Sequence, residues 1–515
     1  MGNDRNLLTV YGLLERAVSA NEDKEAIYDL KRRVSYHEMK KDVERLAVTL
    51  YNLGIKKMDR IAVSLPNWYE TAVIFFAVAK IGAVLVPFNH KYRTHEVEYI
   101  LKNSEPKALI VTEEFDQNFG IKEAQSIVPL LISVRFTRDG LHSYEDHIDG
   151  DVMEAEIDVN NDLFCILYTS GTTGVPKGVM ITHRGVVQSA NTLAGELRCT
   201  EKDVFVISAP LFHIFGMACN LFCGVSAGAR MVLQEKYHPR ETLQLIEQEK
   251  VTIKMGVPTM FIKEIGLEDF DSYDLSTLRT GMVGSAPIPP SKVKEIRDRL
   301  GIKLCQSYGI TETVTVTMTP YDDDEQKITK TLGKPIPGVE LKIVDENRLE
   351  IQSGETGEIA LKSFGMMKGY YKMQEHTEDV LDREGWFYTG DLGVQDEEGY
   401  LHFVGRKKEM IIRGGYNIYP QEIESVLTKH PNIMVASVVG IPDEVLGEVV
   451  CAFIQLKKGT EITEEEIKSY VKNQIANYKV PGKVLFIEDF PMTASGKIQK
   501  SRLLDQLDAN VSRPV

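Results

Sequence analysis

Cysteine is scarce in this chain, which has only six cysteines among 515 residues. No two of them are spaced as a Cys-X-X-Cys pair, so neither a zinc ribbon nor a disulfide framework is expected. Positive charge is also in short supply, because 60 Lys and Arg residues face 75 Asp and Glu residues. The formal charge of −15 argues against a general surface for nucleic acid or for an anionic membrane, but it leaves room for a local basic pocket.

Long hydrophobic runs are rare as well. Residues 211–229 form an uncharged stretch that is long enough to suggest a transmembrane helix. The stretch contains His213, Asn220, Ser226 and three glycines, so we interpret it as a buried helix with an adjoining segment. The first residues, MGNDRNLL, lack the apolar core of a signal peptide. We therefore predict a cytoplasmic protein without stable membrane insertion, whose cysteines are reduced.

The length of the chain exceeds what one hydrophobic core supports and predicts several structural units. Patterns typical of strands and helices alternate between residues 35 and 112 and again after residue 185, which predicts an α/β fold with parallel sheets covered by helices. Residues 357–371 are typical of a short β-region rich in turns. After Lys408 the pattern becomes that of a compact α+β unit, so we place a domain boundary there.

A polar loop stands between two apolar runs in residues 163–183, LFCILYTSGTTGVPKGVMITH. Hydroxyl groups, glycines that let backbone N–H groups close around an anion, and a lysine are typical of a polyphosphate site. A flexible hairpin turn would need neither the hydroxyls nor the lysine. The residues that we assign to this site are Thr169, Ser170, Gly171, Thr172, Thr173, Gly174 and Lys177.

The P-loop of nucleotide triphosphatases is the obvious alternative for this stretch. That loop carries Gly-Lys-Ser/Thr directly before a helix whose N-terminus faces the phosphates. Here Lys177 follows Pro176 and leads into an apolar run, residues 179–181, that is typical of a strand. We therefore predict that the loop joins two strands and binds phosphate through amides, hydroxyls and Lys177.

The eleven residues 168–178, YTSGTTGVPKG, resemble the phosphate loop of the adenylate-forming superfamily, which includes acyl-CoA synthetases, aryl-CoA ligases, firefly luciferase and the adenylation domains of peptide synthetases. Other segments resemble further motifs of that superfamily, in the same order. They are GMVGSAP at 281–287 and QSYGITE at 306–312 for adenine, YTGD at 388–391 for ribose, and PMTASGK at 491–497 for the catalytic lysine. The resemblance extends from Ser35 to Lys500.

The resemblance implies that ATP and Mg²⁺ bind between these motifs. Glu312 would supply an oxygen ligand to Mg²⁺, and Thr311 would offer its hydroxyl group to phosphate. Asp391 would accept both ribose hydroxyls, and Arg406 would reach the ribose and phosphate side of the nucleotide. The residues expected to approach the adenine ring are Gly284, Ser285, Ala286, Tyr308 and Gly309.

The resemblance further implies two reaction steps. The carboxylate of an acid attacks the α-phosphorus of ATP, and the thiol of coenzyme A then displaces AMP from the acyl-AMP. Lys177 would help to spread the pyrophosphate charge, Lys497 would bridge the carboxylate and the α-phosphate, and His213 would stand near the acid. No general base is expected, because a carboxylate is already ionised at neutral pH.

Lys497 would obstruct the incoming thiol, and the superfamily resolves this conflict by rotating its small domain. The resemblance therefore implies a large N-terminal domain of helix-covered β-sheets plus a β-subdomain at residues 1–405, and a hinge linker at residues 406–409 that includes Lys408. A small mobile α+β C-terminal domain would follow at residues 410–515. After rotation Gly414 and Gly415 would face the site and admit the pantetheine arm of coenzyme A.

The predicted pocket for the acid is uncharged. Its candidate residues are His213, Phe215, Met255, Gly256 and Gly281, with Thr259, Met260 and Phe261 nearby. The segment around His213 has no carboxylate to hold a substrate ammonium, which disfavours an amino acid. A medium- or long-chain fatty acid is favoured, because the apolar run after Pro210 could line a tunnel. An aryl acid of the benzoate or coumarate type, or loading of a separate carrier protein, stays open.

Two further hypotheses have less support. A light-emitting oxidase needs more than these motifs. A nucleotide-binding regulatory module that has lost catalysis would have no need for Lys497, Glu312 and Asp391 together. The expected partners are therefore small molecules, namely a carboxylic acid, ATP and coenzyme A, and a homodimer is compatible with the sequence.

Overall fold

The computed structural model describes residues 8–146, 150, 155–169, 175–493 and 496–511, with side chains described as far as residue 505. Four β-sheets organise the chain. The first has seven strands, which are parallel except for the antiparallel pair at one edge. In spatial order the strands are His142–Ser143, Leu130–Ser133, Ala108–Val111, Arg60–Ser64, Val84–Pro87, Leu163–Thr169 and Lys177–Thr182.

The second sheet has nine strands and is parallel in its centre, with antiparallel pairs at both ends. In spatial order its strands are Lys334–Pro335, Val314–Met318, Lys303–Ile310, Thr280–Val283, Ile253–Gly256, Val204–Ile207, Arg230–Leu233, Glu25–Tyr28 and Arg33–Ser35. Both sheets are built from strands that alternate with helices along the chain, as the sequence pattern predicts.

Helices cover both large sheets. Those before residue 400 are Val10–Asn21, Tyr36–Asn52, Tyr69–Lys80, Thr94–Ser104, Glu114–Asn118, Ile121–Gln125, His183–Glu196, Cys223–Ser226, Pro239–Gln248, Pro258–Ile265, Pro290–Leu300, Glu325–Lys330 and Gln374–Val380. The main hydrophobic core includes residues from both sheets, such as Ile61 and Ile207, and each sheet packs a second core on its other face. The strands are therefore buried on both sides, which explains their nearly continuous apolar runs.

Two smaller sheets follow. Strands Val339–Val344, Gly357–Ser363, Phe387–Gln395 and Leu401–Arg406 form an antiparallel four-stranded sheet. The last sheet contains Ile411–Arg413, Tyr416–Ile418, Ile433–Asp443, Gly447–Leu456 and Lys483–Phe486. Helices Pro420–Leu427, Glu464–Lys472 and Lys500–Val511 accompany this last sheet. The α/β fold is confirmed.

Local signals in the sequence locate several helix ends correctly. Ser35 and Glu38 form the capping box that begins helix Tyr36–Asn52, and Gly54 adopts a φ of +89° just after that helix. Residues 211–229 contain a buried π-helix, Phe215–Phe222, followed directly by a short α-helix. None of the helices within the described ranges is long and apolar enough to cross a membrane. All six cysteines are free, and all but Cys199 are buried.

In the sequence Asp391 follows a glycine and is expected at a turn, and the motif at 306–312 is expected to follow a strand, but the structure corrects both expectations. Asp391 does not lie at a turn, because strand Phe387–Gln395 continues through it and Gly390 absorbs a φ of +71° inside that strand. Residues 306–310 do not follow a strand but form the second half of strand Lys303–Ile310. In both cases pairing with a neighbouring strand continues past a glycine, although a glycine locally favours a break in a strand.

A charged cluster connects the two large sheets. Arg135, just beyond strand Leu130–Ser133 of the first sheet, contacts Asp29 at 2.5 Å and Glu70 at 2.8 Å. Asp29 directly follows a strand of the second sheet, and its side chain is fully buried. The Arg135 guanidinium also lies 4.2 Å from the ring centroid of Trp68. One arginine thus neutralises two buried carboxylates at the junction of the sheets.

We expect Arg135→Ala to lower the free energy of unfolding by about 3–5 kcal/mol, because it leaves the buried Asp29 carboxylate without its charge partner, whereas Glu70 keeps its ion pair with Arg32 at 3.3 Å. Urea unfolding followed by tryptophan fluorescence would measure the change. Arg138→Ala is the matched control, since the ion pair of Arg138 with Asp116 at 2.6 Å is exposed and should contribute less than about 1 kcal/mol. Equal effects of the two substitutions would contradict this account.

Candidate active site

The predicted phosphate loop connects two antiparallel strands, as expected. Strand Leu163–Thr169 pairs with strand Lys177–Thr182, and the register places Thr169 opposite Lys177 at the mouth of the hairpin. Ser170, Gly171, Thr172, Thr173 and Gly174 lie outside the described residues. Lys177 Nζ lies 4.8 Å from the ring centroid of Tyr370, so the lysine packs over an aromatic ring next to the loop.

Residues 367–371 form a crossing segment that joins this hairpin to Glu312. The Tyr371 N–H donates to the Gly178 carbonyl at 2.7 Å, which pairs the crossing segment with strand Lys177–Thr182. The Tyr370 hydroxyl donates to Glu312 Oε1 at 2.9 Å. In the sequence these residues are typical only of a turn-rich β-region, and no motif there predicts that Tyr370 belongs to the site. An aromatic residue beside a glycine, GYY at 369–371, is the only signal that the sequence offers.

Glu312 lies in the tight turn between strands Lys303–Ile310 and Val314–Met318, next to Thr311. Burial raises the pKa of its carboxyl group, whereas the Tyr370 hydrogen bond and the charge of Lys177 favour the ionised form. Among the described residues no group of three or more His, Cys, Asp or Glu side chains could hold a metal ion. One carboxylate nevertheless fits Mg²⁺ here, because this ion takes most of its ligands from water and from substrate phosphates.

Asp391 is the centre of a second cluster. The Tyr308 hydroxyl donates to its Oδ2 at 2.8 Å, and Arg406 Nε lies 3.2 Å from its Oδ1. Asp391 and Arg406 stand opposite each other on neighbouring strands. Burial raises the pKa of Asp391, and the charge of Arg406 opposes that shift. A carboxylate oxygen accepts more than one hydrogen bond, so Asp391 retains acceptor capacity for ribose hydroxyls.

The small residues Gly284, Ser285 and Ala286 follow strand Thr280–Val283, beside the strand that carries Tyr308. A Cβ atom at Gly284 would lie 3.0 Å from the Ser307 carbonyl oxygen, and one at Gly309 would lie 2.1 Å from that of Val314. Gly309 is therefore required by close backbone approach, and Gly284 lies in a tight position where a side chain would need a small backbone shift. The carboxyl ends of two neighbouring parallel strands meet here, which is where open α/β sheets bind ligands.

His213 and Lys497 come together although they are far apart in the chain. Burial and the charge of Lys497 lower the pKa of His213 to about 3, so its imidazole is neutral. Burial and the charge of Arg406 lower the pKa of Lys497 to about 8, while Asp391 and Glu312 favour its charged form. The structure therefore brings the ammonium group of Lys497 into the electrostatic environment of the predicted nucleotide site.

The loop that carries Lys497 is held by helix Pro258–Ile265. Thr259 Oγ1 donates to the Gly496 carbonyl at 3.0 Å. Gly496 has a φ of +81°, and a Cβ atom there would lie 2.8 Å from Val257. Thr259 is predicted to lie near the acyl pocket, and the hydrogen bond that the structure shows is with the lysine loop. Next to this loop, Lys500 forms ion pairs with Glu409 at 2.9 Å and Glu424 at 3.0 Å.

Gly414 and Gly415 are not brought to this site. They form the exposed turn between strands Ile411–Arg413 and Tyr416–Ile418, with φ angles of +56° and +83°. Lys408 lies in the short 3₁₀ turn Lys407–Glu409 between the last two sheets. The conformation observed is therefore one in which Lys497, and not the paired glycines, faces the cleft.

A buried charge pair adjoins the predicted acid pocket. Lys254 Nζ lies 3.1 Å from Glu264 Oε2, and both side chains are almost completely buried. A Cβ atom at Gly256 would lie 3.3 Å from this ammonium group. The predicted pocket, which includes Gly256, therefore has two charged neighbours that were not predicted. Lys254 lies on strand Ile253–Gly256, and Glu264 lies on the following helix, Pro258–Ile265.

Comparison with known proteins identifies the family. A family model described as AMP-binding enzyme matches residues 14–371, and one described as AMP-binding enzyme C-terminal domain matches residues 422–497. The chain belongs to the AMP-binding enzyme family.

Relatives in this family align along the whole chain. The Putative acyl-CoA synthetase YngI of Bacillus subtilis (strain 168) is 38% identical over 531 residues, covering 97% of this chain and 97% of the relative. The mitochondrial Medium-chain acyl-CoA ligase ACSF2 of Bos taurus is 32% identical over 543 residues, covering 98% and 88%. The predictions of an adenylate-forming enzyme and of an AMP-forming ligase of the acyl-CoA synthetase class are confirmed.

Solved structures of the family share the complete architecture. The anthranilate CoA ligase AuaEII in complex with anthranoyl-AMP has a TM-score of 0.90 at 27% identity, covering 98% of each chain. ATP-bound MatB from Rhodopseudomonas palustris has a TM-score of 0.87 at 30% identity, covering 97% of this chain and 98% of its own. ATP binding is supported by this family membership, whereas Mg²⁺ stays a prediction.

The pKa of about 8 for Lys497 leads to a pH prediction. Lys497 carries its charge below that pKa and loses it above, so kcat/KM for ATP in pyrophosphate exchange should fall as the pH rises through about 8. Measuring this constant from neutral pH to about pH 10 tests the prediction. In Lys497→Arg the guanidinium stays protonated, so the alkaline fall should disappear even if the rate is lower. An unchanged alkaline limb in that variant would assign the titration to another group.

Proposed function

We propose that this protein activates a carboxylic acid with ATP and transfers the acyl group to coenzyme A. The proposal is supported above all by the convergence of Lys497, from near the C-terminus, with Lys177, Glu312 and Asp391 around one cleft. Two anions, a carboxylate and a triphosphate, can meet only where positive charge offsets their repulsion. Lys177 and Lys497 would supply that charge, and the proposed reaction needs no covalent nucleophile.

In the first step each residue has a binding or electrostatic role. Tyr308 and the segment 284–286 would hold the adenine ring, and Asp391 the ribose hydroxyls. Lys177 would neutralise the β- and γ-phosphates, and Lys497 would contact the attacking carboxylate and the α-phosphate together. Mg²⁺ on Glu312 would supply further charge neutralisation of the phosphates when bound. His213, neutral at physiological pH, would line the site beside the acid.

The second step requires that Lys497 leave the cleft. The proposed units are residues 1–405, a hinge at residues 406–409 and a C-terminal domain at residues 410–515. Arg406 at the start of the proposed hinge is the last residue of strand Leu401–Arg406, and the 3₁₀ turn Lys407–Glu409 that follows belongs to neither sheet and precedes strand Ile411–Arg413. Rotation there would exchange Lys497 for the exposed turn at Gly414 and Gly415, where the pantetheine arm could pass close to the backbone.

A medium- or long-chain fatty acid is the proposed substrate. The support is the π-helix Phe215–Phe222, which follows His213 and is buried along its whole length with mostly apolar side chains. ACSF2 is named a medium-chain ligase, which agrees with this choice. An aryl acid is the second candidate, because AuaEII, named for anthranilate, has the same architecture along 98% of the chain.

We expect Lys497→Ala to slow acyl-AMP formation by at least about 10²-fold, the scale for removing one preorganised charge partner. Thioester formation from supplied acyl-AMP should be retained, because Lys497 then has no role in the cleft. Pyrophosphate exchange and single-turnover thioester assays would measure the two steps separately. Lys472→Ala, an exposed change in the same C-terminal unit, is the control and should affect neither step. Equal loss of both steps in Lys497→Ala would contradict the assignment.

A panel of acids tests the substrate. Pyrophosphate exchange with fatty acids of increasing chain length, benzoate and coumarate should be strongest with a medium- or long-chain fatty acid, because a buried apolar wall favours a longer alkyl chain. Product analysis with coenzyme A, compared with a carrier protein, identifies the acceptor. A preference for an aryl acid would establish the second candidate. Failure of every carboxylic acid in the panel to support exchange would overturn the proposed function.

A further inference from the structure

The crossing segment, residues 367–371, holds Glu312 from two directions. The Tyr370 hydroxyl donates to Glu312 Oε1 at 2.9 Å, and the backbone N–H of Met367, in the same crossing segment, donates to the Glu312 carbonyl at 2.8 Å. Hydrogen bonds to an ionised acceptor are stronger and more directional than neutral ones. The crossing segment therefore fixes both the backbone and the side chain of this glutamate.

The same tyrosine also holds Lys177. The Lys177 ammonium lies 4.8 Å from the centroid of the Tyr370 ring, within the range of a cation–π interaction. Tyr370 itself is only 6% exposed, and its backbone N–H donates to Thr377 Oγ1 at 2.9 Å. A bridge between Val179 and Tyr370 attaches it to the strand that carries Lys177. The ring therefore has little freedom to move away from the lysine.

Lys177 and Glu312 carry opposite charges and lie on either side of this one residue. Within the described part of the chain no direct ion pair joins them; the ammonium faces the ring and the carboxylate accepts the hydroxyl. A direct ion pair would occupy both groups and would have to be broken before phosphate could bind. The Tyr370 ring interacts only weakly with the Lys177 ammonium, and its hydroxyl makes one hydrogen bond to Glu312. Both charged groups therefore remain available to bind a ligand.

We propose that Tyr370 is a positioning residue that keeps Lys177 and Glu312 apart and oriented toward the same polyphosphate. The inference rests on the proposed function, in which these two residues bind the phosphates of ATP. Tyr370 acts through its two neighbours and is not itself assigned a contact with the nucleotide. Preorganisation of this kind lowers the reorganisation that charged side chains undergo when a ligand binds.

The test is ATP binding in the presence of MgCl₂, measured by isothermal titration calorimetry on the full-length protein. Tyr370→Phe removes the hydrogen bond to Glu312 but keeps the ring under Lys177, and should weaken binding by about tenfold. Tyr370→Leu removes both interactions and should weaken it several-fold further. Tyr371→Phe changes the adjacent tyrosine, whose side chain packs in a different hydrophobic cluster, and should bind ATP like the parent protein.

A double-mutant cycle separates positioning from a general loss of structure. In a Glu312→Gln background the carboxylate is gone, so adding Tyr370→Phe should weaken ATP binding much less than it does in the parent protein. Equal weakening in both backgrounds, or the same effect from Tyr371→Phe, would overturn the inference. Because Tyr370→Phe preserves the ring volume, it also serves if Tyr370→Leu fails to fold.

The same titrations distinguish the inference from the function on which it rests. If the parent protein binds ATP and Tyr370→Phe binds it equally well, the positioning role is wrong and the proposed ligase is unaffected. If the parent protein does not bind ATP at all, both the proposed function and this inference are overturned.

Discussion

The predicted nucleotide site brings the positive charges of Lys497 and Arg406 into one electrostatic environment, and their mutual repulsion constrains the rest of the site. Burial and the charge of Arg406 lower the pKa of Lys497 to about 8, and a shift of one pKa unit corresponds to about 1.4 kcal/mol of differential stability. Without a polyanion the charged lysine is therefore less stable there than in water, although it still predominates at neutral pH. A bound nucleotide would supply the missing negative charge, which links occupation of the cleft to the placement of the loop.

The loop is nevertheless held in place by specific contacts. The Thr259 hydroxyl donates to the Gly496 carbonyl, and the ion pairs of Lys500 fix the start of the last helix against Glu409 and Glu424. These contacts are few and largely polar, unlike the continuous apolar core that joins the two large sheets. Such a contact set is compatible with the proposed release of this loop, because breaking a few hydrogen bonds costs far less than exposing a core.

Much of the fold follows from local pattern. The alternation of strands and helices, the capping boxes at Ser35 and Thr463 and the hairpin around the phosphate loop are all readable in the sequence. The sequence predicts a turn at Asp391, because a glycine before a polar residue favours a turn locally. Pairing with strand Leu401–Arg406 keeps this residue extended instead. Tyr370 and Thr259 could not be assigned to their contacts, because each contacts a residue more than fifty positions away.

The sequence by itself determined the family, the order of the motifs and the residue types available for phosphate, ribose and carboxylate, because spacing and side-chain chemistry are properties of the chain. Only the tertiary structure decided which charged side chains lie close enough to neutralise one another. It placed Tyr370 between Lys177 and Glu312, engaged Asp391 with both Tyr308 and Arg406, and left Gly414 and Gly415 exposed. The physical reason is that electrostatic interactions depend on distance and burial in three dimensions, and neither quantity is encoded in the local pattern around any one residue.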